Sequence, residues 1–201
     1  RMLPYLKSRG KQKIKIAVIS HMDEDHYSGI LELLEMGRIE YLGLPDVPRD
    51  AAYESVKTAA EKAGTVIFLL AEGKVIKGAD FYLKVLHPPA GSSLEKNAAS
   101  LVLQGNINGK RILLTGDVEK EGEKELLRKE LKQADILKVA HHGPKNSTSE
   151  EFLSLVKPVH AVISCGKENR YGHPHKEVTE KILKYNSRIH RTDKEGAVIF
   201  W

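Results

Sequence analysis

The sequence predicts an α/β fold, specifically a four-layer α/β/β/α sandwich with two facing sheets and helices on both outer sides. Two observations carry this. Short apolar, β-branched runs alternate with segments of helical periodicity along the whole chain. The strand-type runs also outnumber the helices, which favours stacked sheets over one doubly wound sheet. At 201 residues the chain suffices for one domain with a full core and is short for two, so residues 1–201 read as a single domain. Hydrophobic residues at 41% and charged residues at 29% are ordinary for a globular protein. No run of about 18 apolar residues occurs, and Arg1 to Lys7 is basic without the apolar core of a signal peptide. The net charge of +5 is a mild pointer to polyanionic partners.

Lys13 to Ser20 (KIKIAVIS) is β-branched and alternating, which predicts a strand entering the core. A short helix is expected at Ser28 to Glu35, a strand at Tyr41 to Leu44, a helix at Ala51 to Ala63 and a strand at Thr65 to Leu70. After turns at Gly73 and Gly78, Asp80 to Leu86 predicts a strand ending at His87. Ser100 to Gln104 and Arg111 to Thr115 predict a hairpin, because the Asn108-Gly109 pair suits a tight turn. Glu119 to Lys132 has the pattern of an amphipathic helix. The rest predicts a strand at Ile136 to Ala140, a helix at Ser149 to Val156, a strand at Ala161 to Ser164, a helix at His175 to Tyr185 and a closing strand at Ala197 to Trp201. Cys165, the single cysteine, follows a buried strand and reads as a packed core thiol; no internal disulfide is possible.

The chemistry concentrates at strand ends. His21-Met22-Asp23-Glu24-Asp25-His26 puts two imidazoles and three carboxylates directly after an apolar strand. Burying that much polarity is costly unless a cation neutralises it, and His and Asp are good donors to divalent metals. If the stretch is extended, residues two apart share a side; His21 and Asp23 then share one ion, Asp25 and His26 face a second, and Glu24 lies in solvent or behind the ligands. Leu113-Leu114-Thr115-Gly116-Asp117 delivers a lone carboxylate to a sheet rim, where it could bridge two ions. Val139-Ala140-His141-His142-Gly143 ends another strand in a histidine pair, one of which binds metal while the other orients or contacts substrate. Lys145 and the hydroxyls of Ser147 and Thr148 are candidates for holding phosphate oxygens, and either hydroxyl also suits the cap of the next helix. Arg170 and His173, in Asn169-Arg170-Tyr171-Gly172-His173-Pro174-His175, suit a site edge, Arg170 on phosphate and His173 as proton donor or outer ligand. His160 and His190 read as structural residues without partners.

The His-x-Asp-x-Asp-His spacing at 21–26 resembles the His-x-His-x-Asp-His signature of the metallo-β-lactamase superfamily, Asp117 its bridging aspartate, and His141-His142-Gly143 its final metal histidine. With Pro4-Tyr5-Leu6-Lys7 and Tyr171-Gly172-His173-Pro174-His175, the chain is similar to the C-terminal domain of the ComEC DNA-uptake channels. The resemblance implies two divalent ions, Mn²⁺ or Zn²⁺, and no small organic cofactor. It further implies a hydrolase in which Asp25 orients the nucleophile. Asp23, where most of the superfamily has His, shifts preference toward Mn²⁺. The superfamily's middle metal histidine has no clear counterpart; Asn97 and His87 are the candidates to replace it. The substrate implied is DNA. The setting implied is the extracytoplasmic side of a membrane, beside a channel portion of the same longer polypeptide, and the family's opening strands would precede residue 1. The alternatives are a hydrolase of small phosphoesters or other esters, and a non-catalytic DNA-binding domain with a degenerate metal site. The sequence shows no aromatic-studded basic stretch of the kind that stacks single strands.

Overall fold

A computed structural model describes residues 2–200. In chain order the elements are α1 (Met2–Ser8), β1 (Ile14–Val18), α2 (Glu24–Glu35), β2 (Ile39–Pro45), α3 (Ala51–Lys62), β3 (Val66–Leu70), β4 (Val75–Lys77), β5 (Phe81–His87), β6 (Val102–Ile107), β7 (Lys110–Leu114), α4 (Lys120–Leu127), β8 (Ile136–Lys138), α5 (Glu150–Val156), β9 (His160–Ile163), α6 (Lys176–Lys184), β10 (Arg188–Arg191) and α7 (Thr192–Glu195). They form two sheets, a parallel one ordered β1-β2-β3 and a mixed one ordered β10-β9-β8-β7-β6-β5-β4.

Strand alternation separates three cores and thereby makes four layers. Ile16 and Val18 of β1 and Phe68 and Leu70 of β3 meet Leu83, Val85, Leu103 and Leu114 of the large sheet, which is the layer between sheets. The opposite side of the small sheet, with Ala17, Leu42 and Leu44, packs on Leu33 and Leu34 of α2 and Val56 and Ala60 of α3. The outer side of the large sheet, with Val102, Leu113, Leu137 and Ala161, is covered by Leu126 of α4, Phe152 and Leu153 of α5, and Val178 and Ile182 of α6. The predicted α/β/β/α sandwich is therefore the observed one.

Local signals account for several boundaries. Asp50 caps α3, its side chain accepting the Tyr53 N–H at 2.7 Å. Asn108 and Gly109, both at positive φ, close the β6–β7 hairpin as a two-residue turn, with Ile107 paired to Lys110. The cap of α5 is Ser149, which accepts the Phe152 N–H, and not Ser147 or Thr148.

Other expectations are corrected. α2 begins at Glu24 and not at Ser28, so Asp25 and His26 stand on a first helical turn rather than an extended stretch. α4 runs from Lys120 and stops at Leu127 rather than Lys132; beyond it the chain turns and the Lys129 ammonium meets the Leu86 carbonyl (2.6 Å) and Glu72 (2.8 Å). Residues 197–200 form no strand; Phe200 packs against the rings of His160 and His190, and Trp201 lies outside the described residues. The edge strand is instead β10, whose Arg-Ile-His-Arg composition hides it from an apolar pattern yet suits a guarded sheet edge. His160 and His190 do have partners: their rings meet across β9 and β10 at 3.0 Å, and His190 also reaches Glu195. Cys165 is half-buried and gives its Sγ–H to Asp193 at 3.2 Å.

Candidate metal centre

Four chain segments meet at one end of the sandwich. The first follows β1. His21 is buried, and Asp23 takes the N-cap position of α2 without capping it. Its carboxylate faces His21 Nε2 at 3.7 Å instead. One turn of helix then places Asp25 and His26 side by side, their Oδ2 and Nε2 3.7 Å apart. Glu24 is exposed, as its position suggested.

The second segment is the loop after β7. Gly116 has φ +52, and a Cβ there would stand 2.9 Å from Ser100 Cβ, so only glycine lets the loop close on Ser100. The Asp117 N–H then donates to Ser100 Oγ at 3.0 Å, and the carboxylate is 3% exposed. Its Oδ2 lies 3.2 Å from both His26 Nε2 and His142 Nε2, while Oδ1 accepts from Lys138 Nζ at 3.2 Å. Burial by itself would raise the Asp117 pKa. The imidazoles of His142 and His26 and the Lys138 ammonium outweigh it and hold the group far below the usual carboxylate range.

The third segment follows β8. His141, His142 and Gly143 all have positive φ (47, 58 and 82°), an unusual run for non-glycine residues and a form of backbone strain typical of functional sites. A Cβ on Gly143 would meet Pro174 Cβ at 2.9 Å. This turn, not extended backbone, separates the two rings. His142 enters the cluster, its Nε2 3.1 Å from Asp25 Oδ2, and His141 turns to a concavity lined by Val118, Glu119, Pro144 and Asn146. The Asp117 contact, the largest cause, raises the His142 pKa.

The fourth is the loop 164–175. The Ser164 carbonyl accepts His142 Nδ1–H at 2.6 Å, which fixes the tautomer and frees Nε2 as a donor atom. His173 stacks on His142 with ring centres 6.4 Å apart. Burial and the neighbouring histidines push its pKa down.

Two groups of donor atoms fit a cation: His21, His26 and Asp117, and Asp25, His26 and His142. Nε2 of both His21 and His26 is buried without a hydrogen bond, since the contact of His26 with Asp117 lacks hydrogen-bond alignment. Meanwhile Ser20 Oγ engages Nδ1 of both rings at 3.1 Å, and Ser100 Oγ engages His21 Nδ1 at 3.2 Å. Imidazoles anchored through Nδ1, with Nε2 atoms buried and aimed at carboxylates, are what a divalent ion requires. Burial and the neighbouring His26 lower the His21 pKa to about 4, keeping it neutral and able to donate its lone pair.

The remaining candidates are placed less centrally. Asn97 gives its Nδ2 to Glu119 at 3.2 Å, and its Oδ1 is another buried, unpartnered atom. His87 is fully buried behind Ser100, its Nδ1 on the Ser100 carbonyl, outside the converging donors. Lys145 is exposed and paired with Glu177 at 3.2 Å. Ser147 and Thr148 are corrected: both are buried, and Ser147 gives its Oγ–H to the Pro144 carbonyl at 3.1 Å while Thr148 Oγ1 bonds Ser147 Oγ. Buried hydroxyls spent inside the fold do not face a substrate. Sequence reasoning missed Ser20, Ser100 and Lys138. Lys138 left one signal, a lone charge inside Ile136-Leu137-Lys138-Val139-Ala140. The cavity between α2 and α3, lined by Leu34, Glu54 and Lys62, contains none of the donor groups.

Residues 1–167 match the family model of the metallo-beta-lactamase superfamily. The chain is 37% identical to ComE operon protein 3 of Bacillus subtilis, over 98% of this chain and 26% of that protein. It is 30% identical to competence protein ComA of Neisseria gonorrhoeae, over 99% of this chain and 27% of that one. Recombination protein 2 of Haemophilus influenzae is 32% identical, with 98% and 23% covered. The chain thus spans about a quarter of the length of these curated relatives. Among solved structures, the metallo-beta-lactamase fold protein YhfI of Bacillus subtilis superposes with a TM-score of 0.58 at 10% identity, covering 94% of this chain and 79% of that chain. CmlA, a diiron beta-hydroxylase of Streptomyces venezuelae, gives 0.52 at 10% identity, covering 76% and 35%. At that identity these two likenesses speak to the fold alone.

Proposed function

The chain belongs to the metallo-β-lactamase superfamily, and from that premise we propose that it is a metal-dependent hydrolase of phosphodiester bonds whose substrate is DNA. The observation that carries the reading is the pair of buried, unpartnered Nε2 atoms of His21 and His26 converging on the carboxylates of Asp117 and Asp25. The donor set is His21, Asp25, His26, Asp117 and His142, with Asp23 beside His21 Nε2 at 3.7 Å as a further carboxylate; Asn97 and His141 stand outside it. Two divalent ions, Mn²⁺ or Zn²⁺, bound there would polarise a phosphoryl oxygen and make water a better nucleophile near neutral pH. The mix of carboxylate oxygens with imidazole nitrogens favours Mn²⁺.

The chain's own residues do the positioning. Asp25, on the exposed rim of the cluster, is the carboxylate that can both hold a cation and orient an attacking water. Ser20, Ser100 and the Ser164 carbonyl fix the imidazoles. Lys138 fixes Asp117 through Oδ1 and leaves Oδ2 toward the cluster. Arg170 and Lys145 supply positive charge at the rim, and exposed pairs such as Lys145–Glu177 cost little to open. DNA as substrate, and a place beside a membrane channel on the extracytoplasmic side as part of a longer polypeptide, rest on the resemblance to the ComEC channels; a relative named as a competence protein and the quarter-length coverage support that reading. Among the described residues no helix is long and apolar enough to cross a membrane.

The test is metal content by elemental analysis together with cleavage of a labelled oligodeoxynucleotide in Mn²⁺, Zn²⁺ or chelator. Up to two ions per chain and chelator-sensitive cleavage are expected. Asp25→Ala should lower the rate at least about 100-fold, since even outer-sphere partners of metal ligands contribute about 10–100-fold. Cleavage of p-nitrophenyl esters but of no oligonucleotide would end the nuclease reading.

A further inference from the structure

Beyond the metal cluster, the loop 164–175 joins its own aromatic residues to His142, which lies more than twenty positions earlier in the chain. The His142 ring, whose Nε2 lies in the donor cluster, stacks on His173 at an interplanar angle of 26°. His173 stacks in turn on Tyr171, with ring centres 5.8 Å apart and planes 24° from parallel. Tyr171 is 63% exposed. Arg170 sits against it, the guanidinium carbon 5.1 Å from the ring centre and Nη2 donating to the phenol oxygen at 3.0 Å. Three rings, each within 26° of parallel to the next, therefore lead from the cluster to an exposed aromatic side chain with a cation over it.

The shelf is also held in place before anything binds. The Asn169 side chain donates to the carbonyls of Gly166 (3.0 Å) and His173 (2.7 Å) and accepts the His173 N–H at 2.9 Å. His175 donates Nε2–H to the Tyr171 carbonyl at 3.3 Å while its Nδ1 accepts the Lys145 N–H at 3.0 Å. These bonds fix the loop backbone that carries Tyr171, so less order has to be gained on binding, which favours a stacking platform.

We infer that Tyr171 and Arg170 form a nucleobase subsite for single-stranded nucleic acid: the exposed Arg170 guanidinium, which lies over the ring, swings to the phosphate and a base stacks on Tyr171 in its place. The inference rests on the phosphodiesterase reading for its orientation, because the ring stack joins the shelf to the cluster. Nucleobases of any sequence have a π face, so the subsite recognises single strands without reading sequence. A duplex, whose bases are already stacked, presents no such face.

The test is binding rather than cleavage. Fluorescence anisotropy of the Mn²⁺-loaded full chain is measured with a phosphorothioate oligodeoxythymidylate and with the same backbone carrying abasic units. The thymidylate should bind about tenfold more tightly. Tyr171→Ala should bring the two within about twofold of each other, and Tyr171→Trp should restore the preference. Equal affinity of the wild type for both backbones overturns the subsite, and so does a preference that survives in Tyr171→Ala. Failure of the wild type to cleave any oligonucleotide sinks the hydrolase reading by itself and leaves this comparison standing.

Discussion

Replacing Lys138 with methionine tests how the cluster balances its charge. The Lys138 ammonium is 22% exposed and donates to the Gly116 carbonyl at 2.8 Å and to Asp117 Oδ1 at 3.2 Å. At that distance, with an effective dielectric of about 20, the attraction to Asp117 is about 5 kcal/mol before desolvation is subtracted. Methionine has similar length and no charge, so the variant leaves a buried carboxylate facing only imidazoles. Breaking one side of such a pair costs about 3 kcal/mol, the lower end of the usual range because Lys138 is partly hydrated. For a chain of this size that corresponds to a fall in Tm of about 6–12 °C in chelator. In excess Mn²⁺ the bound cations neutralise Asp117 themselves and are repelled by the ammonium, so the fall should shrink to about 1 kcal/mol or less. The assay is a pair of thermal melts for wild type and Lys138→Met, in EDTA and in Mn²⁺. An equal loss in both conditions, or no loss in EDTA, refutes the idea that Lys138 stands in for cation charge at Asp117.

The metal-free chain should lose stability in mild acid. His21 titrates at about 4 when folded against 6.5 when unfolded, so the unfolded chain takes up a proton that the folded chain refuses. Stability from this group is full above pH 6.5 and declines as pH falls toward 4, by about 3 kcal/mol; urea unfolding in EDTA at pH 7.5 and 4.5 measures it, and a flat profile contradicts the assignment. Gly116→Ala should displace the Asp117 loop, because the new methyl meets Ser100 at 2.9 Å at a positive φ. A fall in metal affinity of about tenfold or more is expected by titration calorimetry, with near-native circular dichroism. Leu153→Ala, at a fully buried position under the large sheet, should cost about 2–5 kcal/mol in urea unfolding without altering the number of ions bound.

Much of this molecule is written in short stretches of sequence. The alternation of KIKIAVIS places β1, Asn108-Gly109 closes the hairpin, and the polar residues crowding the ends of β1, β7 and β8 mark where chemistry gathers. Each is a local signal, set by side-chain periodicity or by the φ that a residue tolerates, so it survives without knowledge of the fold. What escaped depends on contacts between distant segments. α2 starts four residues early because its first turn is held at the cluster. Ser147 and Thr148 look like exposed turn residues but are covered, with Glu123 of α4 binding the Thr148 N–H at 2.7 Å. β10 lacks an apolar pattern and exists only because β9 offers it a paired edge.

The sequence by itself determined the sandwich, the donor types and the strand ends that carry them, since periodicity and composition are properties of neighbouring residues. Only the tertiary structure places the His142 ring rather than His141 among the donor atoms, through three successive left-handed residues packed against Pro174. It alone brought Ser20, Ser100 and Lys138 behind the donors and lined up Tyr171 with His173 and His142. Hydrogen bonds and ring stacks act over a few ångströms of space, and up to 117 positions of sequence separate the atoms they join.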